Sequence, residues 1–178
     1  LKSLSVLAAQ DNATAERFLA LGTPPSTVTV TGSLKFDLSI PDNLPQRAAE
    51  LKASWQLQGR PVWVVASTHD GEDAVILEAF KLIQASFPNA LLLLVPRHPE
   101  RFDEVFQLAQ DLQLNTQRRS LGQNIAAETQ VYLADSMGEM WLWYALSQVC
   151  FVGGSLNEPG GGHNILEPIA LHVATVLG

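Results

Sequence analysis

The stretch from Val149 to Glu167 decides the fold, and it reads V-C-F-V-G-G-S-L-N-E-P-G-G-G-H-N-I-L-E. Its apolar start predicts a buried strand that ends at Gly153, and a loop with five glycines then leads to a helix that opens at His163. The first turn of a helix has N–H groups without partners, so this order of elements is typical of an anion site. Asn164 and Glu167 are three residues apart, and we expect them to share one helical face, where an acid suits the hydroxyls of a ribose.

Apolar runs alternate with segments of helical periodicity from residue 61 to the end of the chain. Strands without polar alternation are buried on both faces, which indicates a parallel sheet covered by helices. The pattern therefore predicts a doubly wound, Rossmann-like α/β domain. Its strands are expected at residues 62–66, 91–95, 131–133, 149–152 and 173–177, with a weak strand near Leu114, and its helices at residues 45–57, 71–86, 100–112, 137–147 and 164–171.

A separate segment precedes this domain. It contains a predicted strand at residues 4–9 and a helix that Asp11 can cap. The passage P-D-N-L-P at residues 41–45 is rich in helix breakers and marks a domain boundary. We therefore expect one domain to end within residues 1–40 and a second to occupy residues 41–178. The chain starts without a methionine and both ends lie beside predicted strands, which indicates a fragment of a longer protein.

Composition narrows the class of protein. The chain is 47% hydrophobic and 16% charged, which is ordinary for a globular protein with a sizeable core. A net charge of −7 argues against a nucleic-acid surface, which normally carries a basic patch. No apolar run approaches the roughly 18 residues of a membrane span. Cys150 is the single cysteine and lies in an apolar strand, so we expect a buried thiol, no disulfide framework and a reducing, cytoplasmic setting.

Polar residues follow several of the predicted strands. Because ligands bind at the carboxyl ends of the strands in such sheets, we expect these residues to meet at one edge. Arg97 lies between two prolines after the most apolar strand, and a guanidinium can hold a phosphate through two parallel N–H bonds. The candidate binding residues are Arg97, His98, Met137, Gly138, Glu139, Gly153, Gly154, Ser155, Gly161, Gly162, His163, Asn164 and Glu167, with Ser67, Thr68 and His69 as possible additions.

Each cluster also has a purely structural interpretation. The glycine loop alone could be a tight turn before a capped helix. Thr68, followed by Glu72 and Asp73, could simply start a helix. Arg97 and His98 could be a surface arginine and a helix-capping histidine. Gly138 and Glu139 could simply lie at the start of a helix that Asp135 or Ser136 caps.

Two kinds of chemistry are not expected from these residues. The spacing of His69, His98 and His163 fits no compact zinc signature, so we predict no metal site. Ser155 follows two glycines but does not lie in a G-x-S-x-G elbow, so we do not expect it to act as a nucleophile.

Six motifs together resemble the 3-deoxy-D-manno-octulosonic acid (Kdo) transferases of lipopolysaccharide synthesis, glycosyltransferase family 30. They span nearly the whole chain in the family's order, and the set is far more specific than any single motif. The motifs are T-G-S-L-K-F-D at residues 31–37, A-S-T-H-D-G-E-D at 66–73, L-V-P-R-H-P-E-R-F at 94–102, D-S-M-G-E-M at 135–140, F-V-G-G-S-L at 151–156 and G-G-H-N-I-L-E-P at 161–168.

This resemblance implies a two-domain GT-B glycosyltransferase that uses CMP-Kdo as donor, without a cofactor or a protein-held metal. The implied acceptor is the tetraacylated lipid A precursor, lipid IVA, at the cytoplasmic face of the bacterial inner membrane. Residues 1–40 would be the end of the N-terminal acceptor domain and its linker, and residues 41–178 a truncated donor domain. The family's general base is a glutamate of the N-terminal domain, so no catalytic residue is expected here. Membrane association is expected from that same region.

The resemblance also implies roles for individual residues. It places Arg97 on the phosphate, residues 137–139 against the nucleotide, and Asn164 and Glu167 against the phosphate and the ribose. Residues 155–163 form a loop one residue longer than the usual form. Two alternatives remain at this point: a UDP-sugar 2-epimerase-like enzyme, which would prefer uridine nucleotides, and a nucleotide-binding module without chemistry.

Overall fold

The computed structural model describes residues 1, 3–33, 37–157 and 160–178. Residues 34–36 of the T-G-S-L-K-F-D motif therefore lie outside the described part of the chain. The described residues form two compact units, Leu1–Ser39 and Ile40–Gly178. None of the helices in the described ranges has the length and apolar character needed to cross a membrane.

The first unit is a small β-α-β arrangement. Strand β1 (Leu7–Ala9) pairs in parallel with β2 (Val28–Val30), and helix α1 (Asn12–Ala20) connects them through a 3-10 turn. Asp11 caps α1 as predicted, since its carboxylate accepts a hydrogen bond from the Thr14 N–H at 2.6 Å. The predicted strand at residues 4–9 is shorter in the structure and begins at Leu7, and the Leu4 N–H donates to the carbonyl of Leu1.

The second unit is the predicted doubly wound α/β domain. All of its strand pairs are parallel, and the six strands lie in the order β5-β6-β4-β3-β7-β8. The strands are β3 (Val62–Thr68), β4 (Leu91–Pro96), β5 (Thr116–Arg118), β6 (Val131–Leu133), β7 (Val149–Val152) and β8 (Ala174–Val176). The helices are α2 (Leu44–Ser54), α3 (Glu72–Ser86), α4 (Phe102–Asp111), α5 (Met140–Leu146) and α6 (Leu166–Ala170). This confirms the fold class.

Strand β4 holds the core together because every one of its residues is buried. Leu91, Leu93 and Val95 pack into one apolar cluster, and Leu92 and Leu94 pack into another. Successive side chains of a strand point to opposite faces, so the two clusters lie on the two sides of the sheet. This continuous apolar strand is therefore buried on both of its faces, as the sequence pattern predicted.

Two predicted helix starts are wrong, and both matter for the site. The helix expected from Met137 begins at Met140, because Gly138 has a left-handed φ of +79° that a helix does not accommodate. The helix expected from Asn164 begins at Leu166, and the Asn164 side chain accepts a hydrogen bond from the Leu166 N–H at 3.0 Å. Asn164 and Glu167 therefore do not share a helical face, and α6 has only five residues.

Candidate functional site

Three loops meet at the carboxyl ends of β3, β4 and β7. The Arg97 N–H, directly after β4, donates to the carbonyl of Thr68 at 3.0 Å. The Gly153 N–H, directly after β7, donates to the carbonyl of Ala66 at 2.8 Å. These bonds bring together three of the predicted polar clusters, as expected for the edge of a parallel sheet.

A β-bulge at Ser67 shapes this edge. Ser67 has a positive φ of +59°, and the pairing of β3 with β4 shifts register between Ala66 and Thr68. A Cβ atom at Gly153 would lie 2.5 Å from the Ser67 carbonyl oxygen and 2.8 Å from the Glu72 carboxylate. Gly153 therefore allows the β7 loop to pack directly on the bulge, where a side chain has no room.

Glu72 occupies the anion site that the glycine loop provides. Its buried carboxylate accepts hydrogen bonds from the N–H groups of Gly154 at 2.8 Å, Ser155 at 3.2 Å and Leu156 at 3.1 Å. The His69 N–H adds a fourth bond at 2.8 Å. The N–H groups of Gly154, Ser155 and Leu156 therefore already have a partner within the protein, and donor binding by Gly154 and Ser155 stays a prediction.

The second half of the glycine loop is also bonded internally. The N–H groups of Gly161 and Gly162 both donate to the carbonyl of Gly154, and the N–H of His163 donates to the carbonyl of Gly153. The two described ends of the loop are therefore bonded to each other, and these N–H groups have partners within the protein. What the loop presents to a ligand is its glycine surface and the side chain of His163.

The four amide hydrogen bonds decide the charge of Glu72. Burial alone would raise the pKa of this carboxyl, but the N–H groups of Gly154, His69, Leu156 and Ser155 outweigh burial and hold the pKa below its usual value of 4.5. Hydrogen bonds to the ionised form favour that form. Glu72 is therefore a fixed negative charge inside the loop.

We expect this depressed pKa to make stability depend on pH in the acid range. A carboxyl whose pKa is lower in the folded than in the unfolded chain stabilises the fold above the unfolded value, near 4.5, and this contribution is lost as pH falls through the folded pKa. The free energy of unfolding, measured by urea denaturation between pH 6 and pH 3, should decline with a slope that is smaller in Glu72→Gln. Identical slopes for the two proteins would contradict this assignment, and the comparison cancels the contributions of other carboxyls.

Thr68 supports the loop from inside. Its hydroxyl is fully buried and donates to the carboxylate of Asp73 at 2.6 Å. Asp73 also accepts from Arg101, whose guanidinium donates in addition to the Thr68 carbonyl at 3.3 Å. Thr68 therefore offers no hydroxyl to a ligand, and its side chain fixes the turn that leads into α3.

Three histidines that are distant in the sequence form one cluster, which we call the histidine cluster: His69, His98 and His163. The Nε2 atoms of His69 and His163 are 2.6 Å apart, and the ring centre of His98 lies 5.4 Å from that of His69. His69 and His163 also line a cavity of about 300 Å³ together with Gly154, Asn157 and residues 160–162. In the part of the chain that the structure describes, no group of three or more His, Cys, Asp or Glu side chains is arranged to hold a metal ion.

Arg97 is the cation that this edge leaves available. Its side chain is exposed, and its guanidinium forms no ion pair or hydrogen bond with the described residues. It lies close enough to His163 that its charge, after burial and the neighbouring His69, helps to lower the pKa of that imidazole. His98 lies 3.9 Å from the carboxylate of Glu100 and is half exposed. An incoming anion would therefore meet Arg97 and the histidine cluster rather than the loop amides.

Glu139 is held by arginines instead of standing free at a helix start. Arg119 donates two hydrogen bonds to its carboxylate, at 2.9 and 3.0 Å, and Arg47 adds an ion pair at 3.4 Å. The Ser136 hydroxyl donates to it as well. Burial would raise the pKa of Glu139, but Arg119, Ser136 and Arg47 lower it. The group left exposed by this arrangement is the Met137 side chain beside Gly138.

One interpretation of the sequence was that Asp135 caps the following helix, and this interpretation is wrong. The Asp135 carboxylate accepts from the Arg118 guanidinium at 2.7 Å and from the Ser120 N–H at 2.8 Å, and Arg118 also binds Asp103. No hydrogen bond or ion pair within the described ranges links residues 137–139 to the histidine cluster. Sequence reasoning missed Glu72, Arg119 and Arg118 as parts of this edge, and only Glu72 carried a signal, since it belongs to the H-D-G-E-D motif.

Glu167 stands apart from these ion pairs. Its side chain is partly buried, which raises its pKa, and it forms no hydrogen bond or ion pair with the described residues. A partly buried carboxylate without a partner is available to accept hydrogen bonds from a ligand hydroxyl. Asn164 is exposed, and its side-chain oxygen is engaged with the first turn of α6.

The parallel sheet, with its glycine loop and basic carboxyl edge, is the fold of a GT-B glycosyltransferase domain. The solved C-terminal CMP-Kdo binding domain of WaaA from Acinetobacter baumannii is 62% identical, with a TM-score of 0.72, over 74% of this chain and 68% of that chain. The family model for 3-deoxy-D-manno-octulosonic-acid transferase (kdotransferase) matches residues 1–38. The chain belongs to the 3-deoxy-D-manno-octulosonic acid transferase family, which confirms the resemblance seen in the motifs.

Two curated relatives extend this comparison. The 3-deoxy-D-manno-octulosonic acid transferase of Haemophilus influenzae is 45% identical over 98% of this chain, and that of Bordetella pertussis is 41% identical over 84%. The chain spans 40% and 35% of the length of these two relatives. The match to the Haemophilus influenzae relative therefore includes the whole candidate site, and each match covers less than half of the relative.

Proposed function

We propose that the protein transfers Kdo from CMP-Kdo to the lipid A precursor in lipopolysaccharide synthesis, with inversion at the anomeric carbon. Residues 41–178 would be the CMP-Kdo-binding domain, and residues 1–40 the end of the acceptor domain. Family membership supports this proposal, as does the 62% identity to the solved CMP-Kdo binding domain of WaaA. The observation that carries it is the unpaired Arg97 beside three histidines, above a glycine surface at the edge of a parallel sheet.

The free groups at this edge suit the parts of a cytidine monophosphate sugar. Arg97 would bind the phosphate, and the histidine cluster would lie beside it. Glu167, with its unpaired carboxylate, would accept hydrogen bonds from the ribose hydroxyls. Met137 and Gly138 would lie against the base, in a loop that Arg119 holds through Glu139. Asn164 would contribute by fixing the start of α6, and Ser67 and Gly153 by shaping the edge.

Charge development in the reaction gives Arg97 a catalytic role as well. An acceptor hydroxyl would attack the anomeric carbon while the bond to the CMP phosphate breaks, so the phosphate gains negative charge as it leaves. A guanidinium placed at the phosphate stabilises that charge more in the transition state than in the ground state. The general base would come from the N-terminal acceptor domain, and the same domain would contact the cytoplasmic face of the inner membrane where the acceptor lies.

The direct test is calorimetric titration of the protein with CMP and with UMP. We expect saturable binding of CMP that is tighter than binding of UMP. Arg97→Ala removes a charge-assisted contact worth about 1.5–3 kcal/mol, so CMP affinity should fall roughly ten- to a hundredfold. Glu167→Ala should weaken CMP binding and should weaken deoxy-CMP binding less, because a ribose hydroxyl is the partner that the carboxylate loses.

A matched control for charge is Lys81→Ala, which removes an exposed cation of α3 whose partner Glu78 lies 3.6 Å away. We expect unchanged CMP affinity in this variant. Tighter binding of UMP than of CMP would favour a UDP-sugar 2-epimerase-like enzyme instead. CMP binding together with no Kdo transfer by the complete protein would favour a nucleotide-binding module. Absence of any nucleotide binding by the folded protein would contradict the proposal.

A further inference from the structure

The closest polar contact of the histidine cluster joins two imidazole rings. The Nε2 atoms of His69 and His163 lie 2.6 Å apart, and the two rings are nearly parallel, with an angle of 8° between their planes. At this distance one nitrogen donates a proton and the other accepts it, because two N–H groups cannot face each other. The pair therefore holds one proton between its two Nε2 atoms.

Gly154 provides the space for this pair. A Cβ atom on Gly154 would lie 3.1 Å from the His163 ring and 3.6 Å from the His69 ring, and its φ of +73° favours glycine in addition. Glu72 fixes Gly154 and the backbone of His69 from below through hydrogen bonds of 2.8 Å. The ring of His69 is thus attached to backbone that Glu72 holds, and both rings line the 300 Å³ cavity.

The charged groups around the pair are mostly positive. His98 and Arg97 approach from the loop after β4, and the ionised carboxylate of Glu72 approaches from α3, where four N–H groups donate to it. The Asp70 carboxylate, on the loop after β3, is exposed and lies 4.0 Å from Arg101. Burial first, and then His69 and Arg97, lower the pKa of His163. Among the described residues, the groups beside the pair therefore disfavour a further positive charge on His163.

We propose that His69 and His163 form an anion subsite that takes up a proton when the donor binds. An anionic oxygen of the donor, from its phosphate or from the carboxylate of its sugar acid, would replace the direct contact between the two Nε2 atoms, with the two rings turning apart to admit it. Both nitrogens would then donate N–H bonds to it, and the ring that had been the acceptor would keep its proton on Nδ1 and take one more on Nε2 from the solvent. The negative charge of the ligand stabilises the added proton, as an opposite charge favours an ionised imidazole. This inference rests on the proposed function.

Proton uptake is measured by calorimetric titration in buffers that differ in ionisation enthalpy, here PIPES and Tris at pH 7.5. The observed binding enthalpy should differ between the two buffers in proportion to the difference in their ionisation enthalpies. The proportionality gives the number of protons taken up for each ligand bound, and we expect it to approach about one. CMP, cytidine and freshly prepared CMP-Kdo distinguish the sources. Uptake with CMP assigns the phosphate to the subsite, uptake with CMP-Kdo alone assigns the carboxylate, and cytidine should give none.

His163→Asn and His69→Asn should each abolish the uptake, since an amide cannot take a proton at this pH. The matched control is His172→Asn. His172 is exposed and has a left-handed φ of +57°, a conformation that asparagine also adopts. We expect this variant to keep the full uptake.

Two outcomes would overturn the inference and leave the proposed function standing. One is binding of CMP and CMP-Kdo by the wild-type protein with enthalpies that do not depend on the buffer, which would mean that the rings only exchange tautomers. The other is full uptake in a folded His163→Asn protein. If neither nucleotide binds, the proposed function and this inference fail together.

Discussion

Glu72→Gln is expected to lower the free energy of unfolding by about 3 kcal/mol and to remove CMP binding. The substitution keeps the shape of the side chain but replaces the charge with an amide, whose NH₂ group would face backbone donors. At least one of the N–H groups of Gly154, Ser155, Leu156 and His69 then loses its partner in a buried site. Urea denaturation gives the loss of stability, and calorimetric titration gives the loss of binding.

The matched control is Glu78→Gln on the same helix. Glu78 is exposed and its ion pair with Lys81 spans 3.6 Å, so the change should stay within about 0.5 kcal/mol. Equal effects of the two substitutions would show that Glu72 is an ordinary acid in the first turn of α3. Retained stability with lost CMP binding would instead place the Glu72 carboxylate in direct contact with the ligand.

Gly153→Ala is expected to destabilise the protein by about 2 kcal/mol and to weaken CMP binding. The new methyl group would lie 2.5 Å from the Ser67 carbonyl oxygen and 2.8 Å from the Glu72 carboxylate. Because the first of these is a backbone atom in a bulge, the loop and not a side chain must move. Chemical denaturation and titration with CMP measure the two effects.

Gly161→Ala serves as the control within the same loop. A Cβ atom at Gly161 would meet nothing within 4 Å, and its φ lies outside the left-handed region. We expect a change in stability of less than about 0.5 kcal/mol, or a small gain from the reduced freedom of the unfolded chain. A Gly153→Ala protein as stable as Gly161→Ala would contradict the close packing of the loop on the bulge.

The sequence predicted the sheet well because its two central strands, β3 and β4, are long and apolar. The runs at residues 62–66 and 91–95 have no polar alternation, and a fully buried parallel strand is the arrangement that satisfies them. The helix starts were predicted less well. Gly138 and Asn164 each lie inside a segment of helical periodicity, but both helices begin after these residues. The positive φ of Gly138 and the side-chain hydrogen bond of Asn164 delay the start, and hydrophobic periodicity gives no sign of either feature.

The site was predicted in part for a similar reason. Arg97 follows an apolar strand between two prolines, and that local context places it at the sheet edge whatever the rest of the chain does. The role of Glu72 depends on amides that lie 82–84 residues away along the chain. A local sequence pattern explains Glu72 as an acid at the start of a helix, so the pattern could not indicate its bonds to the glycine loop. The meeting of His69, His98 and His163 at the sheet edge was predicted, whereas the direct contact between the rings of His69 and His163 was not.

The bonds between Glu72 and the glycine loop also set an order of events as the chain folds. They close a segment of 82–84 residues, so the entropy of loop closure opposes them until β3, α3 and β7 have come together. The glycine loop should therefore gain its native shape in a late step, after the sheet has assembled. A partly folded chain with intact β3–β4 pairing would still be unable to bind nucleotide, and recovery of binding during refolding would lag behind recovery of the sheet.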